Sequence, residues 1–129
     1  GVVVIDVDRF KAVNDSYGHL VGDKALESIS AAVQACLRES DILVRYGGDE
    51  FIACVRNAEI NDPTRVAQDI ISRLDEGFEC DGSHLTVSVS IGISMIKDDY
   101  NTRVEYIIGK ADDAMYSVKK NGKSNYAYI

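Results

Sequence analysis

At 129 residues, 46% apolar and 27% charged, the chain has the composition of one globular domain and enough length to bury its own core. A net charge of −7 argues against a nucleic-acid-binding surface as its main function, but not against a nucleotide held through a metal ion. No apolar run approaches the ~18–20 residues of a bilayer span. The widely spaced Cys36, Cys54 and Cys80, in apolar surroundings, read as reduced core residues of a cytoplasmic protein, not as ligands or disulfides.

Val2-Val3-Val4-Ile5 is a continuous β-branched run, the pattern of a central strand buried on both faces, and it ends in Asp6-Val7-Asp8. Ala25, Leu26, Ile29, Ala32, Val33, Cys36 and Leu37 then recur with a helical period. Two short apolar runs, Ile42-Leu43-Val44 and Phe51 to Val55, flank Arg45-Tyr46-Gly47-Gly48-Asp49-Glu50. This reads as a β-hairpin whose Gly-Gly pair supplies a φ > 0 turn and holds two acids at a rigid tip. Asp62-Pro63 predicts an N-cap and a proline at the first helical position, before a helix with Val66, Ala67, Ile70, Ile71 and Leu74 on one face. Leu85, Val87, Val89, Ile91 and Ile93 alternate with Thr86, Ser88, Ser90, Gly92 and Ser94, which predicts a half-buried strand. Val104, Ile107, Ile108, Ala111, Met115 and Val118 predict a last helix, stopped by Asn121-Gly122. Asn125 to Ile129 adds a short edge strand. The order β-α-β-β-α-β-α-β is that of an α+β domain with a ferredoxin-like βαββαβ core, a final helix and an edge strand.

In that core the first strand is central and the hairpin pairs beside it, so the end carrying Asp6 and Asp8 approaches the tip carrying Asp49 and Glu50. Mg²⁺ takes one or two carboxylates together with waters and phosphate oxygens. Asp6, the Val7 carbonyl and Asp49 would form such a partial cage, open to a triphosphate. The same residues read equally well as two unrelated polar turns at strand ends.

Five blocks in register narrow the choice. Asp6-x-Asp8-x-Phe10-Lys11-x-x-Asn14-Asp15, Gly18-His19-x-x-Gly22-Asp23, Arg45 to Phe51, Ser90-Ile91-Gly92-Ile93 and Ala111-Asp112-x-Ala114-Met115-Tyr116-x-x-Lys119 together resemble the GGDEF family of diguanylate cyclases over essentially the whole chain. The resemblance implies a palm-type, nucleotide-cyclase-like domain with a central, mostly antiparallel sheet flanked by helices. It also implies the condensation of two GTP into cyclic di-GMP and pyrophosphate, each 3′-hydroxyl attacking the other α-phosphate. Two domains would face one another, so a homodimer is expected.

Residue by residue, the resemblance puts Mg²⁺ or Mn²⁺, two per site, on Asp6, the Val7 carbonyl and Asp49, with Glu50 at the second ion. Asp49 or Glu50 is the expected proton acceptor, and Lys11 a catalytic phosphate contact. Asn14 and Asp23 match guanine readers, an assignment suited to an acceptor for the N1–H and N2–H₂ edge beside an amide that both donates and accepts. Without the family, Asn14-Asp15 is equally a turn or cap, and Asp23 a cap of the next helix. Phe10, His19, Gly47 and Gly48 match further substrate positions, though His19 could instead donate to a loop carbonyl. Lys119 and Lys123 match basic positions that reach the phosphates, or else complement the dipole of the last helix. Lys at 123, where the family often has Arg, keeps the charge but loses the bidentate fork.

Arg38-Glu39-Ser40-Asp41 stands nine residues before Gly47, where the family has its product-inhibition site; Arg38 would stack on cyclic di-GMP and Asp41 take its guanine edge. Arg65 or Arg73 could add a contact. The expectation is thus one GGDEF domain over 1–129, without the helix and Asp-x-Leu-Thr-x-Leu-x-Asn-Arg segment that precede strand one in the family, so that any membrane tether would lie in such a segment. The leading function is a diguanylate cyclase with product feedback. The alternative is a catalytically weak domain that binds GTP or cyclic di-GMP to regulate a neighbour.

Overall fold

The computed structural model describes residues 1–56, 59, 61–80, 82–95, 103–122 and 125–128. A five-stranded sheet has the order β2 (Ile42–Arg45), β3 (Glu50–Cys54), β1 (Val2–Val7), β6 (Val89–Ser94), β7 (Asn125–Tyr128). Every pairing is antiparallel except β6 with β7, which is parallel. The helices are α1 (Phe10–Tyr17), α2 (His19–Ala35), α3 (Asn61–Glu76) and α4 (Val104–Lys120), and a separate hairpin joins β4 (Phe78–Cys80) to β5 (Ser83–Leu85). This is the α+β, ferredoxin-like architecture expected, with β1 central and the β2–β3 hairpin beside it. Asn125–Tyr128 form the expected edge strand; Ile129 lies outside the described residues.

Val2 to Ile5 are all buried, as their unbroken β-branching implies, because the sheet is covered on both faces. On one face Val3, Ile5, Val7, Ala53, Ile91 and Ile93 pack with Ile29, Val33, Ile70 and Leu74 of α2 and α3. On the other, Val2 and Val4 pack with Ile107, Ala111 and Met115 of α4.

Several local expectations are corrected. The strand expected over Leu85–Ile93 breaks into β5 and β6, and β6 is buried on both faces, not half-buried. Its polar alternates have partners: the Ser90 hydroxyl donates to Asp8, and Gly92 lets α4 sit directly on the strand, since a Cβ there would strike the Ala111 carbonyl. Gly47 and Gly48 have no positive φ; among the described glycines those angles occur at Gly18, Gly77, Gly82 and Gly122. Asp62 lies within the first turn of α3, with its carboxylate accepting from the Glu59 amide at 2.9 Å, so it is not the N-cap, and Pro63 is the third residue of the helix. The cysteines are free, but only Cys80 is fully buried; Cys36 and Cys54 are half-exposed at the edges of the core. Among the described residues no helix is long and apolar enough to cross a membrane.

Candidate active site

The strand register builds the site. Asp6 on β1 is the direct partner of Glu50 on β3, and the Val7 amide donates to the Asp49 carbonyl at 3.1 Å. The acids at the end of β1 and at the hairpin tip are therefore neighbours. Asp6 Oδ1 is buried and makes no hydrogen bond of good geometry, while the Lys119 ammonium lies 3.3 Å away and 3.7 Å from Asp8 Oδ1. Asp8 is buried and takes the Ser88 and Ser90 hydroxyls at 2.8 and 2.7 Å. Asp8 thus belongs to the interior of the site, and Asp6 faces its opening.

Asp6 and Glu50 both have raised pKa values, burial being the first cause in each. Burial pushes Asp6 up, Lys119 opposes this, and Asp49 and Asp8 add to the rise. Glu50 is also raised, first by burial, then by Asp112, Asp6 and Asp49. A cation between them would relieve that repulsion. Among the described residues no three acid, histidine or cysteine side chains converge as a ready cage. An ion held by Asp6 and Asp49 would have to take its remaining oxygens from water or a ligand.

Beside the acids, Arg9 turns left-handed (φ 53°, ψ 35°) and swings the chain from β1 into α1. Placing Asn14 inside α1 corrects the turn-or-cap reading, and Asp23 lies inside α2, not at its cap. The sequence pattern marks its first helix from Ala25 to Leu37; the structure adds α1 ahead of it and starts α2 already at His19, because the exposed first turns of α2 and the short α1 carry few apolar residues. A cleft of about 340 Å³ opens between these helices and the hairpin tip, lined by Phe10, Lys11, Asn14, Asp23, Leu26, Arg45, Gly48 and Asp49. A Cβ on Gly22 would run into the Asn14 side-chain oxygen, so this glycine lets Asn14 fold down beside Asp23.

A family model described as "Diguanylate cyclase, GGDEF domain" matches residues 1–125. The chain belongs to the GGDEF family. It is 36% identical over 128 residues to the bifunctional diguanylate cyclase/cyclic di-GMP phosphodiesterase MucR of Pseudomonas aeruginosa, covering 99% of this chain and 18% of MucR. It is 39% identical over 127 residues to the diguanylate cyclase DosC of Escherichia coli, covering 95% of this chain and 27% of DosC. The crystal structure of the GGDEF domain of YfiN (TpbB) from P. aeruginosa superposes with a TM-score of 0.92 at 35% identity, over 99% of this chain and 80% of that one. The chain therefore spans well under half the length of these curated relatives.

Not every expected residue lines the GGDEF cleft. His19 starts α2 in an exposed position and Gly47 is set back from the cleft, while Lys119 faces Asp6 and Asp8. Lys123 lies outside the described residues. Arg38 and Asp41 are held together away from the cleft. Asp41 accepts the Arg38 amide on Oδ2 at 2.9 Å and the Arg56 amide on Oδ1 at 3.0 Å, with the Arg38 guanidinium against the same carboxylate. A guanine edge at Asp41 would compete with those amides, whereas the Arg38 side chain is about half exposed at 46%. Arg45 and Asp112 had no assigned role in the sequence. Both sit within the matching blocks, but only the folded chain puts Arg45 in the cleft and Asp112 against Glu50.

Proposed function

We propose that this chain is the catalytic domain of a diguanylate cyclase. The observation that carries the reading is the buried Asp6 oxygen, met only by the Lys119 ammonium, beside the Asp49-Glu50 tip and next to a cleft holding Lys11, Asn14 and Asp23. Asn14 and Asp23 orient guanine, and Lys11 meets the triphosphate. Asp6, the Val7 carbonyl and Asp49, with Glu50, hold Mg²⁺ or Mn²⁺, one or two ions per site. When bound, such ions lower the pKa of a coordinated hydroxyl and offset charge on the leaving pyrophosphate.

In each half-reaction a 3′-hydroxyl oxygen bonds to the α-phosphorus of the other GTP, and the bond from that phosphorus to the β-phosphate bridging oxygen breaks. Pyrophosphate leaves, and the hydroxyl proton passes to Asp49 or Glu50. Two such steps close the ring of cyclic di-GMP. One cleft holds one GTP, so the reaction requires a second copy of the domain facing the first. Arg38 is assigned to feedback by the product, with Asp41 as the residue that braces it.

Nucleotide chromatography after incubation with GTP and Mg²⁺ or Mn²⁺ tests the assignment. Cyclic di-GMP is expected from the wild type, falling by about two orders of magnitude or more in Asp49→Ala. A dimeric, GTP-bound wild type that makes no product would overturn the cyclase reading and leave a nucleotide-binding regulatory domain.

A further inference from the structure

We propose that Arg45 is a positioning residue that holds the Gly47-Gly48 tip in its phosphate-accepting form; this rests on the reading of the cleft as a GTP site. Arg45 ends β2, and its side chain folds back over the turn. Its Nε donates to the Gly47 carbonyl at 3.3 Å and its Nη2 to the Gly48 carbonyl at 2.7 Å. From the other side, the Tyr46 and Gly47 amides both donate to the Glu50 carbonyl, at 2.8 and 3.3 Å. The tip is thus tied twice, and Arg45 makes the tie on the carbonyls.

The consequence follows from peptide geometry. In a planar trans peptide the carbonyl and the next N–H point in opposite directions, and no peptide bond among the described residues is cis. With both glycine carbonyls turned toward the guanidinium, the N–H groups of Gly48 and Asp49 point away from it. Neither amide has a backbone acceptor among the described residues. A Cβ at Gly48 would meet open space, and its φ is one any residue adopts. Nothing within the chain therefore demands glycine there, and the bare surface is available to a ligand. Successive unpaired N–H groups make an anion-binding concavity.

Glycine pairs flip their peptide planes easily, and a flipped plane would turn a carbonyl oxygen where an amide had been. Arg45 blocks that flip. Lysine could not substitute, because one ammonium on a flexible stem lacks the planar fork that spans two carbonyls.

The test compares wild type, Arg45→Lys and Arg45→Ala for equilibrium binding of GTP with Mg²⁺ and of guanosine, with thermal melts to confirm folding. Both variants are expected to lose GTP affinity roughly tenfold, the scale of one charge-assisted hydrogen bond, and to bind guanosine as the wild type does. Full GTP affinity in Arg45→Lys would overturn the proposal, since charge alone would then suffice. Equal loss of guanosine binding would overturn it too, by moving the role of Arg45 to the base. A wild type that binds no GTP would instead sink the nucleotide reading, a result separate from a GTP-binding wild type whose two variants match it.

Discussion

The Lys119 ammonium of α4 lies 3.3 Å from Asp6 Oδ1 on the central strand, and this contact ties the C-terminal helix to the mouth of the acidic site. If Asp6 holds an ion as proposed, Lys119 competes with it for the same carboxylate. Removing the lysine should therefore have two effects. Lys119→Ala is expected to lose about 1–3 kcal/mol of stability in the absence of divalent ions. It should also gain a larger Mg²⁺-dependent rise in Tm than the wild type, because the ion no longer competes with an ammonium. Melting curves over a Mg²⁺ titration measure both; equal shifts in the two proteins would separate Lys119 from the ion site.

Glu50 pays for its position in stability. Burial and the neighbouring Asp112, Asp6 and Asp49 raise its pKa in the folded chain, so its ionisation opposes folding as pH climbs from the ordinary carboxylate value through the folded one. Glu50→Gln is expected to raise Tm by a few degrees at neutral pH, with the gain fading below about pH 4, where the wild-type acid is protonated in both states. Cyclic di-GMP formation should fall about a hundredfold in the same variant. A neutral-pH Tm at or below that of the wild type contradicts the repulsion argument.

At Gly22 the sterics act on binding more than on stability. A Cβ there meets the end of the Asn14 side chain, which can swing away. Gly22→Ala should fold with a Tm close to wild type yet bind GTP roughly tenfold more weakly, as expected when one polar base contact is lost. Its preference for GTP over ATP should narrow as well. Competition binding with both nucleotides reads this directly, and unchanged selectivity would remove Asn14 from the base site.

Gly92 sits against backbone that cannot swing. Its Cβ would strike the Ala111 carbonyl and the Met115 amide of α4, so Gly92→Ala is expected to cost about 1–3 kcal/mol in denaturant unfolding. A neutral result would mean that α4 is not seated on β6 as described.

Asp41 carries a pH signature of opposite sign. Burial works to raise its pKa, but the Arg38 and Arg56 amides and the Arg38 side chain outweigh it and hold the carboxyl below its usual value. Its contribution is complete above the unfolded value of about 3.9 and disappears as pH falls through the lower folded value. Asp41→Asn should therefore cost about 1–3 kcal/mol at pH 7, with the difference from wild type closing in acid. For the half-exposed Arg38, titration of cyclic di-GMP against wild type and Arg38→Ala gives the corresponding functional check; equal affinity would exclude it from product binding.

Much of this was legible in the sequence because it is local. Unbroken β-branching at Val2–Ile5 requires burial on both faces, helical spacing at Val66–Leu74 marks one covered face, and five spaced polar blocks carry the family. What depends on partners distant in the chain was not legible. The Ser-rich alternation of 85–94 looks half-solvated until Asp8, 82 residues before Ser90, supplies a hydroxyl acceptor and α4 covers Gly92. The same limit explains Gly47-Gly48, whose local pattern suggested a positive-φ turn, whereas Arg45 and the Glu50 carbonyl hold the tip with ordinary angles. Residue types and spacing determined the strands, the principal helices and the site's inventory, because propensity and periodicity act within a few residues. Only the tertiary structure decided that Asp6 faces Glu50, that Lys119 stands between Asp6 and Asp8, and that Arg45 clasps the glycines, because register and helix docking set those distances.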